Sequence, residues 1–227
     1  MQYMGEDYLQ ALEVAENYNN FISDLIVSWL KDAVEIIDFG AGTGLLAKKV
    51  REKTGRQVRC VEPAENMKGY LEGTILDSLS EVQDNSIDLI YSSNVLEHIE
   101  DDAAIISDMA RTLKVGGRVC LYLPAFACLF SRLDRRVGHY RRYDKHMLTQ
   151  LFGNGAWRVL DIRYADSLGF FATVGYKFFG GILGEGFNIP TLRFYDSILF
   201  PVSRFFDKVI CEKMFGKNIF VCAEKCI

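Results

Sequence analysis

The chain has 227 residues, 49% of them hydrophobic, and a formal net charge of −4, so it can fill the core of one elaborated α/β domain but lacks the positive charge of a general nucleic-acid-binding surface. Its six cysteines lie mostly in apolar runs without zinc-site spacing, which predicts free thiols in a reducing compartment. We find neither a secretory signal pattern nor a run of about 18 uncharged apolar residues. These features predict a cytoplasmic protein with no nucleic-acid partner.

The apolar spacing predicts an N-terminal helix over residues 8–30 and then strands that alternate with helices. The predicted strands cover 34–38, 58–62, 74–76, 86–92, 118–124, 157–165 and 218–225. The predicted helices between the first five strands cover 45–53, 63–71 and 101–113. Gly116 and Gly117 are expected to turn the chain into the fifth strand. This alternation predicts right-handed βαβ units and a parallel, doubly wound sheet.

We expect a single domain over residues 1–227. Its parts are an N-terminal helix (1–32), a core (33–165), a helical insertion (166–216) and a last strand (217–227). The insertion holds 12 of the 29 aromatic residues of the chain, among them Phe170, Phe171, Tyr176, Phe178, Phe179 and Phe187. Two interpretations stay open: a helical subdomain packed on itself or on a second subunit, giving a homodimer, and a lid, apolar groove or membrane-contact patch for a lipid-like substrate.

A glycine-rich loop, DFGAGTG at residues 38–44, follows the first strand. A dinucleotide fingerprint would need a third glycine where Leu45 stands, and a phosphate-binding P-loop would need Lys-Ser/Thr after its glycines. The loop is therefore expected to approach an uncharged or zwitterionic ligand. Asp38 can accept an ammonium group, and Glu62, which ends the second strand, can accept both hydroxyls of a ribose. The alternative is that both are surface acids at strand ends.

Four stretches in order, VEIIDFGAGTG, VRCVEPAENM, SIDLIYSSNVLEHIED and LKVGGRVCLYLP, resemble the motifs of class I S-adenosylmethionine-dependent methyltransferases. The resemblance covers roughly residues 34–124. It implies an α/β fold with a doubly wound, seven-stranded, mostly parallel sheet of the Rossmann-like type, in which the last two strands are antiparallel. Here a helical, aromatic-rich insertion would separate those two strands. The resemblance also implies S-adenosyl-L-methionine as the cofactor.

Carried over position by position, the resemblance implies a set of cofactor-binding residues: Asp38, Gly40, Ala41, Gly42, Gly44, Glu62, Pro63, Asp77, Ser93 and Asn94. The glycine loop would line the methionine and ribose, and Pro63 would flank the adenine. Asp77 would meet the adenine amino group, although Ser78 follows it where the family usually has an apolar residue. Ser93 and Asn94, after the fourth strand, would face the sulfonium and the acceptor.

Two histidines are candidates for proton transfer. His98 lies in NVLEHIED, where some quinone-forming relatives use two acids and a histidine to bind a divalent metal. Asn94 replaces one of those acids, so we expect no metal. We interpret Glu97 and His98 first as helix-entry and pocket-wall residues, and second His98 as a base. His139 lies in SRLDRRVGHYRRYDKH (131–146), which holds six Arg and Lys residues and two acids.

This basic stretch follows the fifth strand and should overhang the cofactor end of the sheet. It is either a solvated charged face or a substrate site, in which the guanidinium groups bind a phosphate or carboxylate and His139 accepts a proton. The substrate-binding candidates are Arg136, Tyr140, Arg141 and Arg142, and Arg132 and Arg135 are further candidates in the same stretch. GHYRRY also resembles a bacterial subgroup often associated with glycosyltransferases, which implies sugar or lipid-linked sugar substrates.

The sequence thus predicts a methyltransferase that O-methylates a small anionic or sugar- or lipid-linked acceptor. The alternatives are an N-methyltransferase and a cofactor-binding partner protein without catalysis. A nucleic-acid methyltransferase is disfavoured by the negative net charge. A protein or nucleic-acid methyltransferase is also disfavoured because the fourth strand is followed by SSNV and not by an aromatic-Pro tetrapeptide typical of amino methylation. A nicotinamide oxidoreductase is disfavoured by Leu45.

Overall fold

The computed structural model describes residues 6–153, 155–183, 189–209 and 211–227, and a seven-stranded sheet forms its centre. The strands are β1 (Ile36–Phe39), β2 (Arg59–Val61), β3 (Ile75–Leu76), β4 (Ile87–Ser93), β5 (Leu113–Pro124), β6 (Trp157–Ala165) and β7 (Asn218–Lys225). Their order is β3-β2-β1-β4-β5-β7-β6, and β7 is antiparallel to both of its neighbours. The strand order reverses between β1 and β4, where ligands bind in open parallel sheets.

Helices cover both faces of the sheet. They are α1 (Glu6–Glu13), α2 (Glu16–Ser28), α3 (Leu45–Thr54), α4 (Glu65–Lys68), α5 (Asp102–Thr112), α6 (Arg132–Val137), α7 (Lys145–Leu151), α8 (Ser167–Leu183), α9 (Ile189–Phe194) and α10 (Phe200–Val209). Alternate residues of each strand point to opposite faces. In β1, Ile36 therefore packs in the apolar cluster under α2 and α3, and Ile37 in the cluster on the other face.

The predicted N-terminal helix of residues 8–30 is two helices, α1 and α2, with a break before α2 at Ala15. The alanine methyl group cannot cap a helix. The carboxylate of Asp196, far along the chain, accepts hydrogen bonds from the backbone N–H groups of Asn17 (2.9 Å) and Tyr18 (2.8 Å). The spacing of apolar residues did not predict this break, because the residue that caps α2 lies far away in the insertion.

The predicted turn at Gly116 and Gly117 is a bulge inside β5, which begins at Leu113 and not at residue 118. Gly116 has a φ of +82°, a conformation that glycine adopts at little cost. The predicted helix of 63–71 is reduced to the single turn of α4, with Gly69 at its C-terminal end, because glycine disfavours helix continuation.

Helical segments between β6 and β7 confirm the predicted insertion. They are α8, α9, a π-helical turn at Tyr195–Leu199 and α10. Of the aromatic residues singled out above, Phe170 packs edge-on against Phe126 (5.7 Å between ring centroids). Phe187 and the side chains of Tyr176, Phe178 and Phe179 lie outside the described residues. Among the helices that the structure describes, none is both long and apolar enough to cross a membrane.

Candidate active site

The glycine loop leaves β1 at the edge where the strand order reverses. Gly40 and Gly44 have φ values of +73° and +74°, which side-chain-bearing residues rarely adopt. A Cβ atom on Gly40 would overlap the side chain of Val95, and one on Gly44 would lie 2.9 Å from Leu71 Cδ2. Both positions therefore require glycine for backbone conformation and for close packing.

Glu62 ties the glycine loop to the turn after β2. Its Oε2 accepts a hydrogen bond from the Gly42 N–H (2.9 Å), and its Oε1 accepts one from the Ala64 N–H (2.9 Å). The side chain is buried. Each carboxylate oxygen can accept a second hydrogen bond, so the ribose-binding role of Glu62 stays a prediction that this geometry permits.

Asp38 offers an unsatisfied carboxylate below the loop. It is 2% exposed, and its Oδ2 has no hydrogen-bond partner among the described residues. Burial, together with the charge of Glu62, raises the pKa of the Asp38 carboxyl to about 7, although a hydrogen bond with Tyr91 opposes this shift. A buried carboxylate with one unpartnered oxygen is costly. A ligand with an ammonium group would relieve that cost, so Asp38 suits a zwitterionic ligand such as an amino-acid moiety.

The other predicted cofactor residues lie at the same edge. Ala41 is half-buried in the loop, whereas Pro63 and Asp77 are exposed. Asp77, just after β3, pairs with Lys68 (2.5 Å). Ser93 ends β4, and Asn94 follows it with a φ of +54°. The carboxyl ends of β1 to β4 thus bring together all ten predicted cofactor residues, although no contact here tests their individual roles.

His139, in the loop after α6, is oriented by a buried carboxylate. Its Nδ1 lies 2.8 Å from Asp134 Oδ1. Burial opposes ionisation of Asp134, but hydrogen bonds from His139 and Arg142 outweigh it and hold the pKa of the Asp134 carboxyl well below its usual range. Because an ionised carboxylate only accepts, we assign the proton of neutral His139 to Nδ1. Its Nε2 is then free to take up a proton.

Nε2 of His139 faces Glu97, with 3.8 Å between Nε2 and Oε1. Glu97 is fully buried, and neither carboxyl oxygen has a hydrogen-bond partner in the described part of the chain. Burial raises the pKa of Glu97 to about 8, so it is mostly protonated at neutral pH. His98 stands edge-on to His139 (4.5 Å between ring centroids), and burial, with His139 beside it, lowers the pKa of His98 to about 4. His98 is therefore a weak base near neutral pH.

The side chains of three neighbouring residues could together bind a metal ion: Glu97, His98 and His139. One ligand atom from each residue lies within 4.8 Å of the others, close enough for all three to bind one ion. Three protein ligands would leave the remaining positions to water or substrate. The expectation of a metal-free site therefore stays a prediction.

Two of the predicted substrate-binding arginines have intramolecular partners. Arg142 is buried and pairs with Asp134, 2.9 Å from its Nε. Arg141 pairs with Asp102 at 2.6 Å. These contacts use some of the guanidinium donors of Arg141 and Arg142, and the substrate-binding roles of both arginines stay predictions. Arg136 and Tyr140 are exposed, and their roles stay predictions.

Sequence reasoning missed Asp166 and Lys217, at the β6 and β7 ends of the same edge. Asp166 is fully buried with a φ of +64°, and its backbone carbonyl accepts the Lys217 N–H at 2.9 Å. Burial lowers the pKa of the Lys217 ammonium, although the nearby charges of Asp166 and Asp134 oppose that shift. In the described part of the chain, no hydrogen bond or salt bridge engages this ammonium. The one sequence signal for these two residues is that Asp166 follows a predicted strand and Lys217 precedes another.

Known proteins share this architecture and part of this sequence. Residues 37–121 match a family described as a methyltransferase domain. An uncharacterised methyltransferase from Bacillus mycoides is 30% identical over 133 residues, which are 54% of this chain and 60% of that protein. The match thus spans less than two thirds of that relative.

Solved structures of methyltransferases superpose on most of the chain. A S-adenosylmethionine-dependent methyltransferase from Thermotoga maritima gives a TM-score of 0.63 at 15% identity, over 98% of this chain and 96% of that one. A second such methyltransferase, from Archaeoglobus fulgidus, gives a TM-score of 0.59 at 13% identity, over 91% of this chain and 94% of that one. At these identities the likeness shows the fold. The strand order above and these structures together show that the chain has the fold of S-adenosylmethionine-dependent methyltransferases, and its residues 37–121 match the methyltransferase-domain family.

Proposed function

We propose that this protein is an active S-adenosylmethionine-dependent methyltransferase that methylates an oxygen of a small anionic acceptor, with sugars and lipid-linked sugars as the first candidates. The observation that supports an oxygen acceptor best is the Asp134–His139 pair, which leaves His139 Nε2 available as a base. A hydroxyl acceptor needs such a base, whereas a carboxylate or thiolate does not.

The cofactor supplies a methyl group already activated by a positively charged sulfur, so the protein has mainly to align the acceptor and exclude water. Asp38 would accept the ammonium of the methionine moiety, and Glu62 would accept the ribose hydroxyls. The glycines of the loop would let the backbone approach the ligand closely.

His139 would take the hydroxyl proton on Nε2 as the oxygen is methylated. The ionised Asp134 would then stabilise the imidazolium through Nδ1, while keeping the ring oriented. Because Glu97 is mostly protonated, its carboxyl group would not repel an anionic acceptor bound beside His139.

Lys217 is the residue that we propose for the acceptor's anionic group. Its ammonium has no salt-bridge partner in the described structure, and the charges of Asp134 and Arg142 lie close enough to affect its pKa. Asp134 is also the hydrogen-bond partner of His139, which links Lys217 to the proposed base. An ammonium binds phosphate or carboxylate as a compact point charge.

Formation of S-adenosylhomocysteine over a panel of sugars and lipid-linked anions tests this proposal. His139→Ala should lower kcat about 100-fold or more with unchanged S-adenosylhomocysteine affinity, and His146→Ala, at an exposed histidine, should match the parent. Lys217→Met should raise KM for anionic acceptors. If His139→Ala stays within a few-fold of the parent, the base assignment is wrong. Repeating the assay after EDTA treatment tests the metal-free expectation.

The same assay separates the alternatives. Product analysis distinguishes a methylated oxygen from a methylated nitrogen. Cofactor affinity without turnover on any acceptor would indicate the non-catalytic partner protein.

A further inference from the structure

The outward face of the insertion carries an unusual row of apolar side chains. We define the apolar stripe as Phe194, Ile198, Val202, Phe205, Phe206 and Val209, all between 42% and 66% exposed. The three- and four-residue spacing places these side chains on one face of the helical segment from α9 through the π-helical turn to α10. Large apolar residues exposed side by side mark contact surfaces.

The opposite face of this segment is fastened to the rest of the protein. Asp207 is fully buried, and its carboxylate accepts the backbone N–H groups of Asp166 (2.8 Å) and Ser167 (3.0 Å). Phe200 packs against Tyr18, with 5.4 Å between ring centroids. The buried hydrogen bonds fix the rotation of the helix, so the apolar stripe faces away from the sheet and cannot turn inward.

The charged residues of this segment also differ between its two faces. Its two acids, Asp196 and Asp207, are both on the buried face. The exposed charged residues over 189–209 are Arg193 and Lys208, and both are cations. Within this segment, the exposed charges that flank the apolar stripe are therefore both positive, in a chain whose net charge is −4.

We propose that the apolar stripe docks on an anionic lipid membrane, with α9 and α10 lying in the plane of the surface. An apolar face flanked by Lys and Arg is the pattern of a helix that lies at the headgroup boundary, and anionic headgroups attract each nearby cation. A second copy fits this surface less well. In a twofold interface the same patch meets itself, which would bring the cations together without an exposed acid on the segment to pair with them.

The position of the segment gives this docking a consequence for the acceptor. Through Asp207, α10 holds the backbone of Asp166, which directly follows β6 at the edge that carries the candidate active site. A protein docked in this way would present that edge near the lipid headgroups. Vesicle binding itself needs neither cofactor nor turnover, so its failure is distinguishable from failure of the proposed methyl transfer.

Co-sedimentation of the full chain with vesicles tests the docking surface. We expect binding to vesicles of phosphatidylcholine and phosphatidylglycerol in equal parts, and at least tenfold weaker binding to phosphatidylcholine alone. The double variant Phe205→Ser/Phe206→Ser should lose at least tenfold in affinity for the mixed vesicles, and Arg193→Gln/Lys208→Gln about tenfold. Val115→Ser, at a 65% exposed valine in the β5 bulge, is the matched control and should bind like the parent.

Three results would overturn the proposal. They are no binding of the parent to the anionic vesicles, parent-like binding by the two double variants, and a parent dimer in sedimentation equilibrium that Phe205→Ser/Phe206→Ser converts to monomer. Circular dichroism confirms that each variant is folded. If the phenylalanine variant is not, the charge variant decides, because both of its positions are exposed.

Discussion

Burial of Asp38 makes the stability of the fold depend on pH. Its folded-state pKa of about 7 lies well above the ordinary value of 3.8, chiefly because of burial. The folded protein therefore binds a proton that the unfolded chain releases over the interval between these values. The stability that this proton supports is fully present below the lower pKa and is lost as the pH rises through the higher one.

We predict that the free energy of unfolding of the parent falls between about pH 4 and about pH 7, with Asp38 contributing on the order of 3 kcal/mol to the decrease. Asp38→Asn should remove that share, because its amide does not titrate. Urea unfolding at several pH values measures it. Asp77→Asn, at an exposed acid, should keep the parent's profile. If Asp38→Asn and the parent have parallel profiles, the carboxyl is not held protonated by burial.

Among the elements, α2 depends on the insertion for its N-terminal cap. Ala15 leaves the first N–H groups of α2 without a side-chain partner, and Asp196 supplies the acceptor from the π-helical turn. This contact, with the packing of Phe200 on Tyr18, joins the two ends of the chain. A carboxylate near a helix N-terminus is also favoured by the helix dipole.

Asp196→Ala should lower the free energy of unfolding by about 1–3 kcal/mol, because it leaves the Asn17 and Tyr18 amides without their charged acceptor. Asp24→Ala, in the same helix but exposed and paired with Lys53 at the surface, should cost less than about 1 kcal/mol. Chemical denaturation compares them. Equal effects from the two variants would show that Asp196 does not cap α2.

For the whole molecule, the sequence predicted those features that depend on residues close together in the chain. The β6 and β7 bounds and the place of the glycine loop after β1 depend on neighbouring residues, and the structure confirms them, whereas the roles of Asp38 and Glu62 stay predictions. The cap by Asp196 joins distant segments, and the pairing of Arg142 with Asp134, eight residues away, depends on how the chain folds back after α6, so no local pattern reveals either contact. The Gly116–Gly117 bulge shows the same limit, because its glycines also suit a turn and only strand pairing distinguishes the two.

The central claim is that the loop beyond β1 binds S-adenosylmethionine, and calorimetric titration with S-adenosylhomocysteine tests it most directly. The account predicts micromolar binding by the parent, at least tenfold weaker binding by Asp38→Asn because the ammonium loses its charged partner, and no binding of NADH. Binding of NADH alone, or none of S-adenosylhomocysteine by a folded parent, would contradict it.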